Sequence, residues 1–183
     1  MYCCSICAAS EPNFIAASRA AANMGEEHSA ASDREQVSDL VTRLFVSGDE
    51  RRWDDVVDCF AQKVLLDMSS AGGGKPSRTS AKKVAETWES GVKGLASSHH
   101  QIGNLLVNVE GDEAAAFCYA TATHYFPNPS GQNTHTFVGT YDFHLTRTDG
   151  RWCIDAWRFN LKYEDGNLLL SEIARKASRH PSS

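Results

Sequence analysis

The stretch SHHQIGNLLVNVEGDEAAAFCYATATHYF, residues 98–126, decides the fold. Ser98 to Asn108 and Ala114 to Phe126 are each long enough to be a strand, and Glu110-Gly111-Asp112-Glu113 between them carries residues that close hairpins. With a loop of Gly111, Asp112 and Glu113, His100 stands directly opposite His124. Opposed residues of an antiparallel pair share a face, with Cβ atoms ~4.5–5.5 Å apart, so both imidazoles project from one side of the sheet. A shorter loop or a bulge shifts this pairing by one.

Alternation sorts the second arm into two faces. Ala114, Ala116, Cys118, Ala120, Ala122 and His124 lie on one; Ala115, Phe117, Tyr119, Thr121, Thr123 and Tyr125 lie on the other. The first face is built of small side chains and ends in an imidazole. Small residues leave volume for a cavity, and equally suit close packing of a helix. The second face, with Phe117, Tyr119 and Tyr125 pointing outward, invites a homo-oligomer, a dimer or trimer.

Outward from the hairpin, helical spacing of Val37, Leu40, Val41, Leu44 and Phe45 predicts a helix capped by Ser32 or Asp33 and stopped by Gly48. Asp49 to Phe60 reads as a second helix, Val64 to Met68 as a short strand, and Ser69 to Ser77 as a Gly-rich loop without P-loop spacing. Ser80 caps a third helix through about Leu95, with Val84, Trp88 and Val92 as its apolar stripe. Thr134 to Arg147 and Arg151 to Tyr163 are long strands, and Leu168 to Lys176 is a closing helix. This order predicts an α+β fold: a strongly bent mixed or antiparallel sheet packed against three helices, a cone whose open mouth is a pocket. The expected division is a disordered tail over 1–31, a cone domain over 32–176 and a C-terminal tail over 177–183.

Composition narrows the function classes. Lys and Arg number 18 against 23 Asp and Glu, a net charge of −5, and no basic stripe appears, so nucleic acid is not an expected partner. No run of 18 apolar residues exists, so no membrane span is expected. Cys3, Cys4 and Cys7 crowd the N-terminus and read as part of a tail, as a lipidation site or as metal ligands. Cys59, Cys118 and Cys153 read as buried apolar residues in a reducing, cytoplasmic setting without structural disulfides.

The candidate chemistry is proton transfer. Imidazole is basic near neutral pH, and two imidazoles in contact cannot both be charged cheaply, so the pair titrates as a unit. Asp49, at an expected helix start, and Asp67, at a strand end, are the carboxylates available to orient them. The plainer alternatives are an ordinary N-cap for Asp49, a solvated Asp67 and core roles for Trp53 and Trp88. If the face of Val138, Thr140, Asp142 and His144 is the concave one, Thr140 and Asp142 join the histidines. No short ligand spacing marks a metal site, and none is expected.

Several segments together resemble the SnoaL-like branch of the nuclear transport factor 2-like superfamily, and within it the scytalone dehydratases. They are Gly48-Asp49-Glu50-Arg51-Arg52-Trp53-Asp54, Val64-Leu65-Leu66-Asp67, His100-Gln101-Ile102-Gly103-Asn104, Asp112-Glu113 before His124, and Asp149-Gly150-Arg151-Trp152. The resemblance covers about Asp33 to Tyr163. It implies a cone fold and cofactor-free loss of water from a cyclic hydroxyketone, with the family's catalytic Asp and two His falling on Asp49, His100 and His124. Two tyrosines that polarise the carbonyl through a water fall on Gly48 and Met68. A substrate-contacting serine and asparagine fall on Thr140 and Asp142. The proton-transfer half of that machinery is thus matched and the carbonyl-binding half is not.

The expectation is a cofactor-independent lyase or isomerase acting on a small hydrophobic hydroxy-carbonyl compound. His100 is its base, and His124 is its acid or shuttle, oriented by Asp49. Trp53, Asp67, Met68, Trp88, Asn104, Thr140 and Asp142 are the expected substrate contacts. The alternatives are a non-catalytic small-molecule-binding or dimerisation module of the same fold, and, ranked last, hydrolysis of an epoxide.

Overall fold

Ser32 caps the first helix reciprocally. Its Oγ accepts from the Glu35 N–H at 3.3 Å, and the Glu35 carboxylate accepts from the Ser32 N–H at 2.7 Å. The computed structural model describes residues 32–179; the stretch 1–31 with Cys3, Cys4 and Cys7, and residues 180–183, lie outside the described residues. Helix α1, Asp33–Asp49, buries Val37, Leu40, Val41, Leu44 and Phe45. Gly48 does not stop this helix. It is buried beneath Trp88, and a Cβ built there would collide with the Trp88 ring.

Asp49 therefore ends α1 rather than beginning a second helix. Arg51 turns the chain with a φ of 57°, and α2 is confined to Trp53–Asp58. Strand β1, Phe60–Asp67, leads through a single 3₁₀ turn, Ser69–Ala71, and the glycines to β2, Ser77–Ser80. The sequence hid β2 because its four polar residues have no hydrophobic period; it is an edge strand held to β1 by its backbone. Ser80 caps α3, Ala81–Val92, its Oγ accepting from the Lys83 N–H at 3.2 Å. Strands β3 (Ser97–Glu110), β4 (Glu113–Tyr125), β5 (Thr134–Thr148) and β6 (Arg151–Gly166) follow, and α4 spans Leu170–Arg179, displaced from the expected Leu168–Lys176.

The sheet has six strands in the order β2-β1-β6-β5-β4-β3, with β1 parallel to β6 and all other pairs antiparallel. Register irregularities at Gly103/Leu106 on β3, and on the β5–β6 pair at Val138/Gly139 and His144/Leu145, bend these long strands. The sheet curls around the apolar faces of α1 and α3, as the bent α+β cone requires. The core between them joins Leu44 and Phe45 of α1, Val84 of α3, the small face of β4, and Tyr141, Phe143, Trp157 and Phe159 of β5 and β6. Among the described residues no helix is long and apolar enough to cross a membrane, and Cys59, Cys118 and Cys153 are free thiols.

Two strand readings are corrected. The β3–β4 hairpin closes on Gly111-Asp112, with Glu110 opposite Glu113, and the Gly103/Leu106 bulge then shifts the register again. His100 consequently faces Ala122, and His124 faces Ser98. The two imidazoles are diagonal neighbours on one face rather than directly opposed. On β5 the inward residues are His135, Phe137, Gly139, Tyr141, Phe143 and Leu145, because these pair with the inward, small-residue face of β4. Thr140 and Asp142 lie on the outer face.

Candidate active site

Asp49 is the last residue of α1, where the helix dipole disfavours a carboxylate. What holds it is His100 on β3. The His100 main-chain N–H donates to Asp49 Oδ2 at 2.6 Å, and ring Nδ1 lies 2.7 Å from Oδ1. A carboxylate accepts, so Nδ1 carries the proton and Nε2 is the ring's free lone pair. Phe45 stacks on the same ring at 5.3 Å and Trp88 meets it edge-on at 5.4 Å, so the imidazole is fixed on both sides. Both side chains are nearly closed to solvent, 6% exposed for His100 and 13% for Asp49. Burial by itself raises the Asp49 carboxyl, but the hydrogen bonds from His100 and its electrostatic attraction outweigh burial and hold the group below the ordinary aspartate value.

His100 opens onto a cavity of about 240 Å³ between the sheet and α3. His124 lines the same cavity, with Phe137 edge-on to its ring at 5.2 Å. Its Nδ1 is buried and has no hydrogen-bond partner among the described residues. Burial first, then the nearby imidazoles of His100 and His135, pushes His124 down to about 4. It is a neutral imidazole at physiological pH. Asp49 does not orient it; that carboxylate is spent on His100.

Of the other residues singled out in the sequence, Met68 and Trp88 line the cavity. Trp53 packs against Trp88 with ring centroids 6.2 Å apart but does not line the cavity itself. Four lie elsewhere. Asp67 accepts from Ser69 and, at 2.9 Å, from Arg158 Nε, beside an open groove on the outer sheet face. Asn104 is the exposed residue of the β3 bulge, with a φ of 53°. Thr140 Oγ1 and Asp142 Oδ2 both accept from Asn160 Nδ2, at 3.3 and 2.7 Å, on the outer face. One residue of displacement on β5 separates them from the inward positions.

The residue missed by sequence reasoning is Tyr141. It is 5% exposed and lines the cavity, and its phenol is pushed well above the ordinary tyrosine value by burial, so it stays protonated. Its signal was available: Phe137, Tyr141, Phe143 and Leu145 alternate as the apolar face of β5, and an apolar face belongs inside. Trp157 also lines the cavity, and its indole Nε1 is buried with no partner among the described residues. Cys118 on the small face of β4 is inert, its thiol pushed up to about 11 by burial. The cavity is therefore apolar, with an Asp-oriented imidazole, a neutral imidazole and a phenol set into its wall.

This cone, with its polar groups gathered at an inner cavity, is the architecture of the nuclear transport factor 2-like superfamily. The SnoaL-like domain model matches residues 29–158, and the chain belongs to that family. Among solved structures it is similar to the Kfla4162 protein of Kribbella flavida, with a TM-score of 0.70 and 20% identity, covering 78% of this chain and 97% of that one. It is also similar to a protein of Novosphingobium aromaticivorans provisionally assigned as a scytalone dehydratase, with a TM-score of 0.63 and 13% identity over 73% and 86% of the two chains. A hexachlorocyclohexane dehydrochlorinase, LinA type 2, superposes with a TM-score of 0.62 at 14% identity, over 73% and 88%. No curated protein matches the chain.

Proposed function

We propose that this chain is a cofactor-independent lyase of the dehydratase type, or an isomerase, acting on a small, largely apolar hydroxy-carbonyl compound. The observation that carries this reading is the Asp49–His100 pair, whose oriented imidazole borders an apolar cavity. The names of two fold neighbours, a scytalone dehydratase and a dehydrochlorinase, are consistent with elimination chemistry on this fold.

In this mechanism His100 Nε2 removes the proton on the carbon beside the carbonyl. The imidazolium that forms is stabilised by Asp49, already ionised and bonded to Nδ1. The carbanion electrons form the C=C bond as the β-hydroxyl leaves. The proton held by His100 goes to that oxygen, so the products are the unsaturated ketone and water. His124, neutral in its buried position, serves as a hydrogen-bonding group toward the departing oxygen rather than as a cationic acid. Tyr141, the phenol in the cavity wall, donates to the enolate oxygen. It supplies a donor that Gly48 and Met68 cannot.

The test is a panel of β-hydroxyketones, one- and two-ring, followed by the absorbance of the enone. H100N lowers kcat on any turned-over member by about 10²–10⁴-fold with the fold intact by circular dichroism. Binding of such compounds without turnover in the wild type favours the binding-module alternative. Full turnover by H100N sinks the mechanism.

A further inference from the structure

His135 begins the inward face of β5 and is the direct register partner of His124 on β4. It is 5% exposed, yet the cavity wall does not include it. Its ring packs on Phe137 at 4.1 Å, and Phe137 in turn meets His124 at 5.2 Å. Its Nε2 lies 2.9 Å from Glu164 Oε2 on β6, whose side chain reaches solvent. A buried imidazole thus stands next to the unpartnered one and is tied to a carboxylate on the side leading to the surface.

We propose that His135, clamped by Glu164, is a positioning residue for His124: as its direct partner across the sheet, and through the Phe137 ring that both touch, it fixes the His124 imidazole in the cavity wall. The groups facing His124 allow this assignment. His100 approaches from β3 and, like His135, opposes a charge on His124, while Asp49 at the end of α1 favours one and is itself hydrogen-bonded to His100. Tyr141 of β5 is a protonated phenol in the same cavity. The α3 residues that line it, Val84, Thr87, Trp88, Gly91 and Val92, carry no titratable group. His135 is then the neighbour of His124 that Glu164 ties down on the side leading to the surface. The inference rests on the reading of His124 as a neutral participant, but its test needs no substrate.

The experiment is a titration of the full chain, ¹⁵N-labelled at histidine, followed by NMR of the imidazole nitrogens. In the wild type His124 stays neutral to about pH 4. In H135Q, which removes the second imidazole, the protonation constant of His124 rises by roughly threefold or more. H135F, which keeps the aromatic packing on Phe137, gives the same direction and covers the case in which H135Q fails to fold. An unchanged His124 titration in a folded variant overturns the proposal and leaves His135 a packing residue. Absence of turnover on every hydroxyketone while His124 still shifts sinks the proposed reaction and not this assignment.

Discussion

Asp49 receives both the main-chain N–H and the ring N–H of His100, at 2.6 and 2.7 Å, so one carboxylate fixes the position and the tautomer of one imidazole. Asparagine at 49 has a single acceptor oxygen, and its NH₂ would face the second donor. D49N is expected to lose about 1–3 kcal/mol at pH 7, the cost of an unsatisfied buried donor. The pH dependence follows from the sign of the shift. The Asp49 carboxyl is held below its ordinary value, so its contribution is present above about pH 4 and is lost as pH falls through the lower folded value. Urea denaturation of wild type and D49N at pH 7 and pH 3 tests this: the gap between them narrows at the lower pH.

His124 has the opposite sense. Its ordinary value of 6.5 falls to about 4 in the folded chain, so below pH 6.5 the unfolded chain takes up a proton that the folded chain refuses. Stability is lost as pH falls from 6.5 toward 4 and the contribution levels off below that. Between pH 7 and pH 5 the loss is about 2 kcal/mol. H124F cannot take up that proton, and its stability over this interval is expected to fall less than that of the wild type by about the same amount. Equal pH slopes for the two proteins would show that His124 is charged when folded.

How much of this was legible in the sequence depends on parity. The hairpin loop was read one residue too long and the bulge at Gly103/Leu106 was not seen, yet each displaces the register by one. Together they restore the face, so His100 and His124 still share a side of the sheet. On β5 a single displacement had no such partner. The resemblance placed polar contacts at Thr140 and Asp142, while the requirement that an apolar face go inward places Tyr141 there. Gly48 misled for another reason. A glycine near a helix end reads as a stop, and nothing local reveals that the ring of Trp88, forty residues on, occupies the space where its side chain would be. The Asp49–His100 pair was recoverable as a pairing of residue types but not as geometry, since it joins a helix end to a strand through the tertiary fold alone.

Tyr141 separates a cavity with a carbonyl-directed donor from one without. Y141F keeps the ring and its packing against Phe45 and Phe159, at 4.9 and 4.8 Å, and removes only the hydroxyl. On a hydroxyketone turned over by the wild type, kcat/KM is expected to fall about 10²-fold, the scale of one lost oxyanion donor. The melting temperature should change little. A variant with wild-type kcat/KM removes Tyr141 from the mechanism and leaves the imidazoles to act alone.

Gly48 tests the packing that shapes the cavity. It sits on the inner turn of α1 with the six-membered ring of Trp88 directly against its Cα, and Trp88 also packs on His100 and Trp157. A methyl at 48 has nowhere to go unless Trp88 moves, and Trp88 is hemmed in on those sides by His100 and Trp157, both of which touch Phe45. The open direction is the cavity that Trp88 already lines. G48A is therefore expected to destabilise the fold by about 1–3 kcal/mol, the usual cost of overpacking. It should also shrink the cavity, so a hydroxyketone that fits the wild type binds more weakly or not at all. Thermal unfolding measures the first effect and ligand titration monitored by tryptophan fluorescence the second. Wild-type stability in G48A would mean that α1 and α3 slide apart freely, and the fixed ring wall that holds His100 would lose its physical basis.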